Sequence, residues 1–154
     1  MKDLITFNRP FITPFDEEFF KNIHKRITSL SGDGIYTKKV NKWLENYSKS
    51  NKALLTHSCT AALEMSSILM NIKYGDEVIM PSYTFVSTAN AVVLRGGIPR
   101  FVDIRDDTLN IDEKAIENAI NKKTKAIFPV HYAGVSAEMD TIKQIADTNK
   151  LFVA

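Results

Sequence analysis

Thr56-His57-Ser58-Cys59-Thr60 packs hydroxyl, thiol and imidazole groups into five residues between the apolar Leu54-Leu55 and Ala61-Ala62-Leu63. Ala61, Leu63, Met65, Ile68, Leu69 and Ile72 then recur at helical spacing. The pattern reads as a short strand, a turn and a helix. The first N–H groups of such a helix lack intrahelical acceptors and lie at the positive end of its dipole, which suits a bound anion, commonly a phosphate. Ser58 and Thr60 add hydroxyl donors. Both are also residues that an N-cap favours, so plain capping is the competing reading.

Three further polar or aromatic stretches follow apolar runs: Pro81–Phe85, Asp103–Asp107 and His131–Gly134. In open α/β sheets ligands gather beyond the carboxyl ends of the strands. An anion turn at 58–60, an aromatic platform at Tyr83 or Phe85 and a donor or acceptor at His131 suit a ligand with a phosphate and a flat ring. The competing readings are core packing for Phe85 and a hydrogen-bonded structural role for His131. Other schemes find little support. There is no G-x-G-x-x-G after the first strand, no G-x-x-x-x-G-K-[ST] and no H-E-x-x-H. Cys59 at a helix start and His131 could form a thiolate pair, but nothing nominates a third residue to orient it.

The elements that must position these residues are read from periodicity. Residues 1–50 form an arm with Pro10 and Pro14, a helix from Asp16 to about Leu30, a Ser31–Gly34 turn and a helix from Thr37 to about Tyr47. From residue 51 strands and helices alternate. Strands are expected at 53–56, 77–80, 100–104, 125–130 and 151–154, and helices at 61–71, 87–95, 112–121 and 139–149. Short apolar strands between helices predict an α/β fold, a mostly parallel sheet covered on both faces in three layers. The chain stops within an apolar run, so the expectation is the front part of a longer protein whose last strand edge is exposed.

Composition narrows the classes. The chain has 154 residues, 44% hydrophobic and 25% charged, enough for one sizeable core. A net charge of +2 with dispersed lysines does not call for nucleic acid. The single cysteine rules out an intramolecular disulfide and a multi-cysteine zinc site. No signal-like segment heads the chain and no run reaches membrane-span length, so a cytoplasmic protein without a membrane partner is expected.

Four stretches carry a family resemblance: Leu55–Met65, Gly75–Asn90, Phe101-Val102-Asp103-Ile104 and Pro129-Val130-His131-Tyr132-Ala133-Gly134. Together with Phe7-Asn8-Arg9-Pro10 and Gly32–Thr37, they resemble the DegT/DnrJ/EryC1/StrS sugar aminotransferases, in the same order and over essentially the whole chain. The resemblance implies an incomplete large domain of a fold-type-I pyridoxal-phosphate enzyme over 51–154. It implies that Ser58, Cys59 and Thr60 hold the cofactor phosphate and that Phe85 stacks on its ring. Phe7, Thr37 and His131 would line a nucleotide-sugar cleft at a homodimer interface. The implied reaction moves an amino group from glutamate to C4 of a dTDP-linked 4-keto-6-deoxyhexose. The sequence departs from the family pattern in two respects. No lysine here matches the family's cofactor-linking lysine, and the Asp that pairs with the pyridine nitrogen is absent. The 154 residues alone are therefore expected to be inactive. The alternative is a truncated, non-catalytic relic or binding module with a weak phosphate site.

Overall fold

The computed structural model describes residues 10–26 and 32–154. The chain divides into two compact units, Met1–Leu55 and Thr56–Ala154.

The first unit contains helices α1 (Asp16–Arg26) and α2 (Ile35–Ser48). The start of α1 is fixed by Thr13, whose N–H and hydroxyl both donate to the Asp16 carboxylate at 2.7 Å. The Phe19 ring meets Tyr36 edge-on with centroids 5.5 Å apart. Trp43 and Tyr47, one turn apart on α2, stack nearly parallel at 5.1 Å. α2 starts two residues before the expected Thr37, with Gly34 as an extended N-cap. The expected stretch of the first helix beyond Arg26 lies outside the described residues.

The strand expected at 53–56 is not formed. The segment carries no regular secondary structure and pairs with no described strand. The Ala53 and Leu55 N–H groups donate instead to side chains of α2, Glu45 Oε1 at 3.4 Å and Asn41 Oδ1 at 3.1 Å. Glu45 and Asn41 are four apart on a helix and so share a face. Two helical acceptors thereby occupy the place of a sheet edge. Leu54 and Leu55 stay exposed, which sequence hydrophobicity does not reveal.

The second unit holds α3 (Cys59–Leu69), β1 (Glu77–Pro81), α4 (Val86–Val93), β2 (Ile98–Val102), α5 (Glu113–Ala119), β3 (Thr124–Ile127), α6 (Met139–Asn149) and β4 (Phe152–Val153). The four strands form one sheet in the order β2-β1-β3-β4, parallel at every pairing. The fold class expected from the sequence is thus the one observed. Successive residues of the central strands serve opposite faces. Val78, Met80, Ala126 and Phe128 join Met70, Ile72 and Val92 in one buried cluster, against which Leu63 and Ala89 pack. Ile79 and Ile127 join Ile116, Ile142, Ile145 and Ala146 in the other. The sheet therefore lies between an α3/α4 layer and an α5/α6 layer. The chain steps from β1 to β2 through α4 and returns past β1 through α5, continuing through α6 to β4. Steps in opposite directions require helices on opposite faces when crossovers are right-handed.

Strand limits moved for local reasons. β2 begins at Ile98 although Pro99 follows, because an edge strand tolerates the missing donor. β3 ends at Ile127 before Pro129, yet Phe128 N still donates to Ile79 O at 2.8 Å. Gly97 is required by packing: a Cβ there would lie 2.7 Å from Val92 Cγ1 and 2.8 Å from Ile72 Cγ2.

Candidate functional site

β1 and β3 are adjacent, but the chain leaves them toward opposite edges of the sheet. That divergence opens a crevice at their carboxyl ends, the usual ligand position in such sheets. A cleft of about 440 Å³ lies at this point. Cys59, Thr60 and Leu63 of α3 line it, with Thr84, Phe85, Ser87 and Thr88 at the start of α4 and Phe128-Pro129-Val130 after β3.

The α3 entrance is built by its own turn. The Thr56 hydroxyl donates to Ser58 O at 2.8 Å. Ser58 is extended at the N-cap, and its Oγ accepts the Ala61 N–H at 3.1 Å. Ala62 N–H goes to Ser58 O. The N–H groups of Cys59 and Thr60 have no protein acceptor among the described residues. Capped and free N–H groups are therefore divided along the turn. Ser58 caps, while Cys59 and Thr60 present free donors to the cleft.

Phe85 is 74% exposed and so is not a core residue. Its place is held by the turn ahead of α4, where the Thr84 and Thr88 hydroxyls share a 2.8 Å hydrogen bond and Thr88 is buried. Thr84 and Thr88 were not singled out in the sequence; their i, i+4 spacing at a helix start was the available signal. His131 is exposed and does not line the cleft. Its Nδ1 accepts the Ala137 N–H at 3.1 Å, which places the proton of the neutral ring on Nε2. Thr37 lies on α2 in the other unit, and Phe7 lies outside the described residues.

Two neighbouring loops complete the edge. The Tyr83 and Tyr132 hydroxyls share a 2.8 Å hydrogen bond, with ring centroids 4.8 Å apart. That bond holds the Tyr132 phenol above its ordinary pKa, so it stays protonated at neutral pH. After β2, Arg105 forks onto Asp107 at 2.9 and 2.8 Å and reaches Glu113 at 3.0 Å. The guanidinium hydrogen bonds pull the Asp107 carboxyl down to about 2. The Asp103–Asp107 stretch thus carries a structural ion-pair cluster, not a second donor set in the cleft. No group of three or more His, Cys, Asp or Glu side chains able to hold a metal occurs among the described residues.

Fold and site together define a doubly wound α/β domain with an open cleft at its switch point, lined by residues with free helix N–H groups and by an exposed aromatic ring. The chain belongs to the DegT/DnrJ/EryC1/StrS aminotransferase family, whose profile matches residues 15–154. It is 43% identical over 152 residues to the uncharacterised protein MJ1066 of Methanocaldococcus jannaschii, covering 96% of this chain and 39% of that protein. It is 46% identical over 101 residues to the spore coat polysaccharide biosynthesis protein SpsC of Bacillus subtilis, covering 66% of this chain and 26% of SpsC. The crystal structure of NtdA from Bacillus subtilis, with bound cofactor PMP, superimposes with a TM-score of 0.85 at 34% identity, covering 99% of this chain and 37% of NtdA. The chain therefore spans about two fifths or less of each relative's length. Among the described residues no helix is long and apolar enough to cross a membrane.

Proposed function

We propose that these residues form one wall of the cofactor site of a pyridoxal-phosphate sugar aminotransferase. The observation that carries the reading is the pair of free N–H groups at Cys59 and Thr60, opening into a cleft that Phe85 also lines. These parts fit the cofactor. The Cys59 and Thr60 N–H groups and the Thr60 hydroxyl would take the phosphate at the positive end of α3. Phe85 would cover one face of the pyridine ring. Ser58 supports the phosphate cup by fixing the turn that aims these donors. When bound, the cofactor supplies an electron sink for moving an amino group.

The reaction supported best transfers an amino group from glutamate to C4 of a dTDP-linked 4-keto-6-deoxyhexose, giving the 4-amino-4,6-dideoxygalactose product. Membership of a family with sugar-pathway relatives such as SpsC supports the substrate class. His131, Thr37 and Phe7 are proposed to face the nucleotide sugar, in a cytoplasmic homodimer. On this reading none of the lysines in the 154 residues is the cofactor-linking lysine, and none of the aspartates pairs with the pyridine nitrogen. Alone the 154 residues are proposed to bind the cofactor weakly and reversibly and to form no product.

Titrating the 154-residue chain with pyridoxal phosphate, followed by ring absorbance, tests the cup. The expected result is saturable binding that inorganic phosphate competes away and borohydride does not trap. Binding indifferent to phosphate would remove α3 from the site. Incubation with cofactor, glutamate and the dTDP keto sugar is expected to give no amino sugar above a no-protein control. Any excess product overturns the inactivity.

A further inference from the structure

Asn110 lies on the loop between β2 and α5, outside the cleft, and is only 2% exposed. Both ends of its amide are used on the backbone of another loop. Oδ1 accepts the Tyr132 N–H at 2.8 Å, and Nδ2 donates to Val135 O at 3.0 Å. The loop so held is irregular. Ala133 and Gly134 both have positive φ, +50° and +83°. Its internal bonds are Gly134 N to His131 O and Val135 N to Tyr132 O. Irregular backbone of this kind keeps its course when a buried side chain satisfies its polar groups.

Asn110 is itself firmly placed. Arg105 N donates to Asn110 O at 2.9 Å, and Ile104 bridges Ile111 across the loop base. Arg105 then ties the loop to Asp107 and Glu113. From the held loop the connections run on toward the cleft. The Tyr132 hydroxyl bonds Tyr83, two residues ahead of Phe85. His131 sits one residue before Tyr132. A single buried amide therefore joins the β2–α5 and β3–α6 loops, and the tyrosine pair joins these to the β1–α4 turn.

We infer that Asn110 is a positioning residue of the carboxyl edge, setting the His131–Val135 loop so that Tyr132 meets Tyr83 and the Phe85 turn is braced. Its consequence for cofactor affinity rests on the function proposed above; the brace itself does not. A merely structural Asn110 would lower stability and leave the tyrosine pair in place.

The test uses the full 154-residue chain. In the wild type, the Tyr132 amide is expected to exchange with solvent at least about tenfold more slowly than the Ala133 amide, whose N–H has no acceptor among the described residues. Ring-to-ring nuclear Overhauser contacts between Tyr83 and Tyr132 are expected at pH 7, and Asn110→Ala abolishes them while the cooperative melt survives. Asn110→Asp, which keeps the acceptor and loses the donor, restores slow exchange at Tyr132 in part. Retained tyrosine contacts in a folded Asn110→Ala protein overturn the inference. So does wild-type Tyr132 exchanging as fast as Ala133, whether or not the variants fold. Pyridoxal phosphate affinity is expected to fall about tenfold in Asn110→Ala, the loss of roughly one buried hydrogen bond's contribution. Failure of the wild type to bind the cofactor sinks the cofactor reading and leaves the exchange and ring-contact tests intact.

Discussion

Ser58 and Thr60 are two residues apart and both carry hydroxyls, yet their substitutions should separate. Ser58 Oγ accepts the Ala61 N–H, so Ser58→Ala removes a cap and lowers stability by about 1 kcal/mol, read from a urea melt. Thr60→Val leaves the cap and removes only a hydroxyl facing the cleft. It should leave the melt nearly unchanged and weaken pyridoxal phosphate binding roughly fivefold to tenfold. Equal melts for the two variants would dissolve the distinction. Asp107 gives a pH signature. Its carboxyl is held at about 2 against an ordinary value of 3.8. A depressed carboxylate contributes stability fully above its unfolded value and loses it as pH falls through its folded value. Asp107→Asn should therefore lower stability modestly at pH 7 and flatten the profile between about pH 4 and pH 2, the difference from wild type vanishing toward the low end, in melts recorded across that range. The turn was legible in the sequence because hydroxyls crowd one helix start. Asn110 was not, because one amide in a loop carries no periodicity, and its partners lie 22 and 25 residues away.

Helix α6 falls on the residues its apolar spacing marks, Met139–Asn149, and β1 nearly so. These elements have strong patterns and clear stops. The segment at 53–56 has the apolar pattern of a strand without a strand partner, since Asn41 and Glu45 take its N–H groups. A strand is a relation between segments, and local hydrophobicity reports only half of it. At this scale packing decides two substitutions. Gly97→Ala drives a methyl against Val92 and Ile72 and should cost about 1–3 kcal/mol in a denaturant melt. Phe128, 1% exposed, anchors the α3/α4 face of the sheet and also lines the cleft. Phe128→Ala should cost about 3–5 kcal/mol, and near-neutral stability would show that the cluster collapses around the gap.

For the molecule as a whole, the class was readable because alternation of short apolar runs and helices admits few arrangements, and a parallel sheet between helix layers is the main one. Strand order was not readable, because it depends on which edges meet. β2 ends the sheet on one side with Ile98 and Phe101 exposed, and Phe152 is exposed on β4 at the other. Open apolar edges favour association. Sedimentation of the 154-residue chain should show a mass that rises with concentration, and a strictly monomeric species would count against this.

The order β2-β1-β3-β4 also makes the two walls of the cleft distant in sequence. β1 meets β2 across one short helix, but β3 lies beyond α4, β2 and α5 in the chain. Distant parallel pairing is slow. The cleft between β1 and β3 does not exist until that pairing forms. A ligand held there binds only the form in which β1 and β3 are paired, so by mass action it shifts the equilibrium toward the finished sheet.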